Sequence, residues 1–226
     1  MLPSGDYILP NEMTDTKRGM SLLYALNAAS ARLQRSARSE ADVLRAVKDQ
    51  IGGIGLRGGL SLLDETGTRL TTRSVVLHNR AYKSLERLTG FKLEGYEFDI
   101  ESVDVYREVV KTGATLFVPD SSKVSTQLLP DRVRRFSGAI MKYLGAPPAI
   151  FAPITCQGQV HGVLNVVGEG LSKGDIPAME AFANHISIAL ENARLITAMQ
   201  AEIAERKQAE ETSRQMEIDL QRRAAQ

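Results

Sequence analysis

The stretch that decides the fold runs Ala149-Ile-Phe-Ala-Pro-Ile-Thr-Cys156, then Gln157-Gly-Gln159, then Val160-His-Gly-Val-Leu-Asn-Val-Val167. Two apolar, β-branched runs flank a short turn with glycine at its centre, which is the pattern of a β-hairpin. Working back toward the N-terminus, Gly59–Leu63 and the Thr- and Val-rich Leu70–Leu77 flank the turn residues Asp64–Thr68 and predict a second hairpin. Thr115–Val118 predicts a further strand before Pro119, so five strands are expected. Helical spacing surrounds them. Met20, Leu23, Tyr24, Asn27, Ala28 and Ala31 form an amphipathic face from Gly19 to about Ser36. Ser39, with Asp42 three residues on, has the form of a capping box, and it opens a helix that buries Val43, Leu44, Val47 and Ile51 before Gly52-Gly53. Ala81–Leu88, Val103–Lys111 and Arg132–Leu144 are the remaining short helices, the last ended by Gly145 and Pro147-Pro148. Strands and helices mixed in this order predict an α+β fold.

From Asp175 onward the pattern is one continuous helix, with Pro177 in its first turn and no later proline or glycine through Gln226. Fifty residues at about 1.5 Å each span roughly 75 Å, whereas a compact domain of this size is roughly 40 Å across. The far half is therefore expected to leave the domain. Up to Leu195 the helix is apolar enough to dock (Met179, Phe182, Ala183, Ile186, Ile188, Leu190). Between Ala201 and Gln226, eleven of twenty-six residues are charged, with same-face pairs Glu202/Arg206, Glu210/Arg214 and Asp219/Arg223. A sparse seam remains at Leu195, Met199, Glu202, Arg206, Ala209, Ser213, Met216 and Leu220, spaced alternately by four and three as in a coiled coil. Pairing with an identical copy through the terminal helices is the economical expectation. The chain thus divides into a loose leader over residues 1–18, a globular domain over 19–195 and a helical extension over 196–226.

Composition narrows the partners. The 226 residues are 43% hydrophobic and 24% charged, a globular balance, and 28 Lys+Arg against 27 Asp+Glu leave a formal charge of +1. No global field draws the chain to nucleic acid or to an anionic membrane. Met1–Pro10 has no positive n-region followed by an apolar run, and no stretch approaches the roughly 18–20 apolar residues that span a bilayer. The single cysteine, Cys156, can form neither an internal disulfide nor a thiolate cluster and suits a reducing compartment. A cytoplasmic location without a membrane segment is expected. Gly52-Gly53, Gly55 and Gly58-Gly59 are glycine-dense, but no Lys-Ser/Thr follows, so they read as a flexible connection and not a phosphate loop.

Pro153-Ile154, Gly158, His161-Gly-Val-Leu-Asn-Val166, Asp175 and the run Phe182–Leu195 together resemble the C-terminal half of a GAF domain, where a Pro-Leu … Gly … Ile-Gly-Val-Leu-x-Leu hairpin precedes the closing helix. The resemblance covers about Gly19–Leu195. It implies a PAS-related central antiparallel sheet with the N- and C-terminal helices on one face, an extended coiled-coil helix beyond, and a small-molecule pocket on the other face. Ala201-Glu-Ile-Ala-Glu-Arg-Lys-Gln-Ala-Glu-Glu211 is similar to the signalling helices that join GAF or PAS sensors to the dimerisation helices of bacterial histidine kinases. That similarity implies an input module for a two-component system. A phospho-accepting histidine and ATP-binding boxes are absent, since no histidine follows His185.

Within that frame the pocket candidates are Tyr106, Phe117, Phe136 and Tyr143 as apolar lining, Arg134 and Arg135 as cations for an anionic ligand, and Cys156 and His161 as haem ligands. Each also has a plainer reading. The aromatics suit a packed core, the arginines beside Arg132 suit a solvated helix face, Cys156 suits a small buried hydrophobe, and His161 suits a strand residue sharing a face with Val163 and Asn165. His78 suits a surface turn, and His185 either a helix face or a dimer contact. The phytochrome branch attaches a bilin through a Cys-His pair that Arg132–Leu144 lacks, which disfavours covalent bilin, and the Asn-Lys-Phe-Asp-Glu signature of the cyclic-nucleotide branch is missing. The free-methionine-sulfoxide reductases of this fold need several cysteines, so catalysis by this segment is disfavoured. Two readings stay open: a homodimeric sensor that binds an effector, haem included, and a ligand-free dimerisation scaffold.

Overall fold

The computed structural model describes residues 38–76, 86, 90–134, 137–138 and 145–224. The expected leader, the helix over 19–36, most of the helices over 81–88 and 132–144, and the candidates Arg135, Phe136, Tyr143 and His78 lie outside the described residues. Helix α1 (Glu40–Gly53) starts where the capping pattern places it: Ser39 Oγ accepts the Asp42 N–H at 3.2 Å and donates to the Asp42 carboxylate at 2.8 Å. Then come β1 (Arg57–Leu63), β2 (Arg69–Val76), β3 (Glu97–Asp99), α2 (Asp104–Thr112), β4 (Leu116–Val118), α3 (Ser122–Leu128), the short α4 (Asp131–Arg134), β5 (Ala149–Cys156), β6 (Gln159–Val167) and α5 (Ile176–Ala224).

The sheet is antiparallel throughout, with six strands in the order β3-β2-β1-β6-β5-β4, so β1 and β6 pair at its centre. Strand β3 and helix α3 were not foreseen. Three residues, Glu97-Phe98-Asp99, are too few to display a period, and the Ser-Lys-Val-Ser-Thr-Gln-Leu sequence of α3 buries only Val124. Gly58, read in sequence as part of a flexible connection, instead lies inside β1, next to Gly59 where the strand was expected to begin. A Cβ on Gly59 would sit 2.7 Å from the Ser74 carbonyl oxygen of the neighbouring strand, so the missing side chain permits that close approach.

Strand alternation splits the apolar residues into two cores. On one face Leu60, Leu62, Ile150, Ala152, Ile154, Leu164 and Val166 pack against α1 (Val43, Val47, Ile51) and the first turns of α5 (Met179, Phe182, Ala183, Ile186). On the other, Phe151 and Val163 meet Val105, Tyr106 and Val109 of α2 and Val124 of α3. Burying each large side chain contributes about 1.5–3 kcal/mol, so both layers hold the sheet. The helix layer thus occupies the expected face.

Helix α5 is entered through a 3₁₀ turn, Lys173–Asp175, closed by a capping box: Ser172 Oγ accepts the Gly174 N–H, and the Asp175 carboxylate accepts the Ser172 N–H at 2.8 Å. Its 49 residues extend roughly 73 Å. From Thr197 to Ile218 every residue is exposed, and Leu195, Met199 and Met216 are 57%, 61% and 62% accessible. Among the described residues no helix is long and apolar enough to cross a membrane.

Candidate functional site

The sheet face opposite α1 and α5 carries a cavity of about 120 Å³. Its floor is set by strand periodicity. Strand β1 contributes Arg57, Gly59 and Ser61 at alternate positions, β6 contributes Asn165 and Val167, and β5 contributes Phe151. Cross-strand pairing lines up Val75, Gly59, Asn165 and Phe151 in one row. Tyr106 of α2 forms a wall, its ring edge-on to Phe151 with centroids 5.3 Å apart. The roof comes from α3 and its flanks through Ser121, Val124, Ser125, Leu128 and Leu129. The hydroxyls are partly committed: Ser121 Oγ donates to the Pro147 carbonyl at 2.8 Å, and Ser61 and Thr72 hydroxyls lie 3.4 Å apart.

Asp104 holds that roof to α2. Lys123 Nζ lies 2.6 Å and Gln127 Nε2 2.9 Å from its Oδ2, and Arg107 Nη2 lies 3.0 Å from its Oδ1. The hydrogen bonds from Lys123 and Gln127, aided by both nearby cations, lower the carboxyl to about 2. A carboxylate whose folded value is depressed stabilises the fold above its unfolded value, about 3.9, and ceases to as pH falls through the folded value. Amide exchange in α3 should therefore be flat with pH, after correction for intrinsic rates, from neutrality down to about pH 4, and should accelerate between about pH 4 and 2. Asp104→Asn should show the faster α3 exchange already at neutral pH. A variant whose α3 exchanges like the parent would mean the roof is held elsewhere.

The sequence-derived candidates fall in different places. Tyr106 lines the cavity. Phe117 lies on the opposite face: it pairs with Ile150, whose side chain belongs to the helix-side core, and it packs there. Arg134 is outside the lining, with Nη1 2.9 Å from Asp131 Oδ1 and Nη2 donating to the Leu129 carbonyl at 3.2 Å. Cys156 ends β5 beside α5, where burial, and then Glu191, raise its thiol pKa. That environment is not one of an activated thiolate. His161 is the extra residue of a bulge: Ile154 pairs with Gly162 and Thr155 with Val160, so His161 is skipped and strand alternation breaks there. It is half-buried and outside the lining.

The side chains that do converge on the cavity, Arg57, Ser61, Thr72, Ser121 and Asn165, were not singled out from sequence as a group. The available signal was alternation, since polar or small residues recur on one face of strands whose other face is wholly apolar. The described lining does not fit haem. It contains no histidine or cysteine, and a cavity of about 120 Å³ has the dimensions of a single ring, given that a cavity of about 150 Å³ holds benzene. Among the described residues no group of three or more His, Cys, Asp or Glu is placed to hold a metal.

The bulge also ties the two faces together. The Thr155 N–H is accepted by Ser187 Oγ of α5 at 3.0 Å, and that hydroxyl donates in turn to the Ala183 carbonyl at 2.9 Å. Strand β5 therefore carries Phe151 into the cavity on one face, while Ile150, Ala152, Ile154 and Thr155 engage the long helix side on the other.

Comparison with known proteins agrees with this layout. The GAF domain family model matches residues 37–191. No curated protein is significantly similar in sequence. Among solved structures, the GAF domain of a phosphoenolpyruvate-protein phosphotransferase from Coxiella burnetii superposes with a TM-score of 0.56 at 14% identity, covering 80% of this chain and 98% of that one. Residues 122 to 287 of a methyl-accepting chemotaxis protein give 0.55 at 19% identity, covering 76% and 99%. The GAF domain of A. aeolicus nlh2, in an inactive state, gives 0.54 at 15% identity, covering 76% and 96%. Identities this low report a shared fold. Because the family match takes in both central hairpins and the docked turns of α5, well over half of the sequence, the chain belongs to the GAF domain family.

Proposed function

We propose that this chain is a cytoplasmic sensory module: a homodimer, joined through its terminal helices, in which a small effector bound in the cavity alters the packing of α5. The globular part spans residues 19–195, and 196–226 form the signalling helix. The single observation that carries this reading is β5, which forms part of the cavity floor through Phe151 and is hydrogen-bonded to α5 through Thr155 and Ser187. An effector that shifts this strand changes the bonding partner of the helix. The energetic demand is modest, because a ligand need only favour one helix arrangement by about 1–3 kcal/mol.

The segment from Ile188 to Leu220 would carry the change to an output domain. The similarity of Ala201–Glu211 to the helices preceding histidine kinases supports a two-component output, and the chemotaxis-protein relative supports signalling in general. The free, unactivated Cys156 is consistent with a reducing cytoplasm. The second reading, a ligand-free dimerisation scaffold, draws on the cavity's size: about 120 Å³ is below the roughly 300–1,000 Å³ of ordinary ligand pockets.

Native mass spectrometry of the purified chain separates the two. The sensory reading expects a non-covalent small molecule on the dimer, and its removal should change amide exchange in α5 around Ser187. A dimer that carries no ligand, and whose α5 exchange is indifferent to every molecule that docks, would establish the scaffold instead.

A further inference from the structure

The centre of the cavity floor is Gly59, with one polar reader beside it. Gly59 has no side chain, and its row neighbours are Val75 on one side and Asn165 on the other, with Phe151 next beyond Asn165. A Cβ added at Gly59 would sit 3.3 Å from Asn165 Oδ1, which places the carboxamide over the Gly59 backbone on the cavity floor. Among the described residues nothing hydrogen-bonds the Asn165 side chain. A carboxamide offers an acceptor and two donors side by side in one plane, the pattern by which Asn reads a donor-acceptor edge of a nucleic-acid base.

Size and charge limit the rest. The volume, about 120 Å³, is that of one ring, and the walls are aromatic, with Tyr106 edge-on to Phe151. The described lining has no acidic side chain to meet a cation. Its one charged residue, Arg57, already interacts within the protein, so an anion would compete for it. An uncharged ligand needs no such exchange. Resting on the ligand-binding reading above, we infer that the cavity takes an uncharged, planar, single-ring compound with a lactam-type edge, an N–H beside a carbonyl, and that Asn165 reads this edge through a pair of hydrogen bonds.

The test is isothermal titration of the whole chain with 2-pyridone, its N-methyl derivative, which lacks the donor, and benzoate. 2-Pyridone should bind at least about tenfold more tightly than the N-methyl compound. Asn165→Leu should erase that preference, and so should Asn165→Ala, the smaller apolar replacement if the leucine variant folds poorly. Equal binding of 2-pyridone and its N-methyl derivative, or a preference that survives both substitutions, would overturn the inference. So would tightest binding by benzoate that is lost in Arg57→Gln, which would make this an anion site. If all three probes fail while native mass spectrometry finds another molecule in the cavity, the lactam assignment falls and the sensory reading stands. If nothing is carried and nothing binds, both fall.

Discussion

Gly162→Val should leave the protein without a stable fold. Gly162 lies in β6 at the centre of the sheet, paired with Leu62 of β1 on one side and Ile154 of β5 on the other. A Cβ there would sit 2.5 Å from the Ser61 carbonyl oxygen and 2.8 Å from Leu62 Cδ2. The side-chain atom could rotate away, but the carbonyl belongs to the ladder and cannot move without separating the strands. Overpacking a core costs about 1–3 kcal/mol, and here alanine alone already meets backbone. Valine adds two methyl groups to the same clash, against a total stability of only about 5–15 kcal/mol. Gly53→Ala provides the contrast. Nothing lies within 4 Å of its added Cβ at the end of α1, so it should stabilise by about 0.4–1 kcal/mol. Thermal melts followed by circular dichroism read both. A Gly162→Val protein that melts where the parent does would mean that β1 and β6 are not at this spacing.

Much of this architecture is legible in the residues because local signals and global fold agree there. The Ala149–Val167 hairpin announces itself by β-branched runs around Gln-Gly-Gln, and α1 by Ser39 with Asp42. The long helix is readable because neither proline nor glycine interrupts it after Pro177. Legibility fails where an element is too short for a period, as in β3, or where a glycine serves packing and not flexibility, as at Gly58. The cavity is the hardest part to read. Its side chains come from six separate elements and the loops between them, and their convergence depends on strand order, which places β1 beside β6 across some hundred residues of sequence. Phe117 illustrates the difficulty: in a three-residue strand the choice of face is set by pairing with Ile150, which local sequence does not encode. Cys156 and His161 lie at the far end of the β5–β6 hairpin, where the bulge changes which face a residue serves.

The second large effect concerns α5. Ile188, Leu195, Glu202, Ala209 and Met216 recur every seven residues, and Asn192, Met199, Arg206 and Ser213 fill the companion positions, so one stripe runs along the exposed helix. Its apolar members are open to solvent: Ile188 is 47% and Met199 61% exposed. Glu202 and Arg206 sit in that stripe as a 2.7 Å pair, 62% and 75% accessible, where such a pair adds little by itself. In a paired helix these two would occupy the seam and weaken it, which suits an association that must rearrange. Replacing both, as Glu202→Leu with Arg206→Leu, should tighten the dimer by at least about tenfold, since burying each leucine is favourable by about 1.5–3 kcal/mol. If the doubly substituted chain associates no more tightly than the parent, the stripe is not the seam.

Sedimentation velocity on the whole chain and on a chain ending at Leu195 tests the central claim most directly, because the exposed half of α5 has no surface of its own domain to cover it. The account predicts a dimer for the whole chain and a predominantly monomeric species after truncation. A monomer in both cases, or a dimer that truncation leaves unchanged, would contradict it.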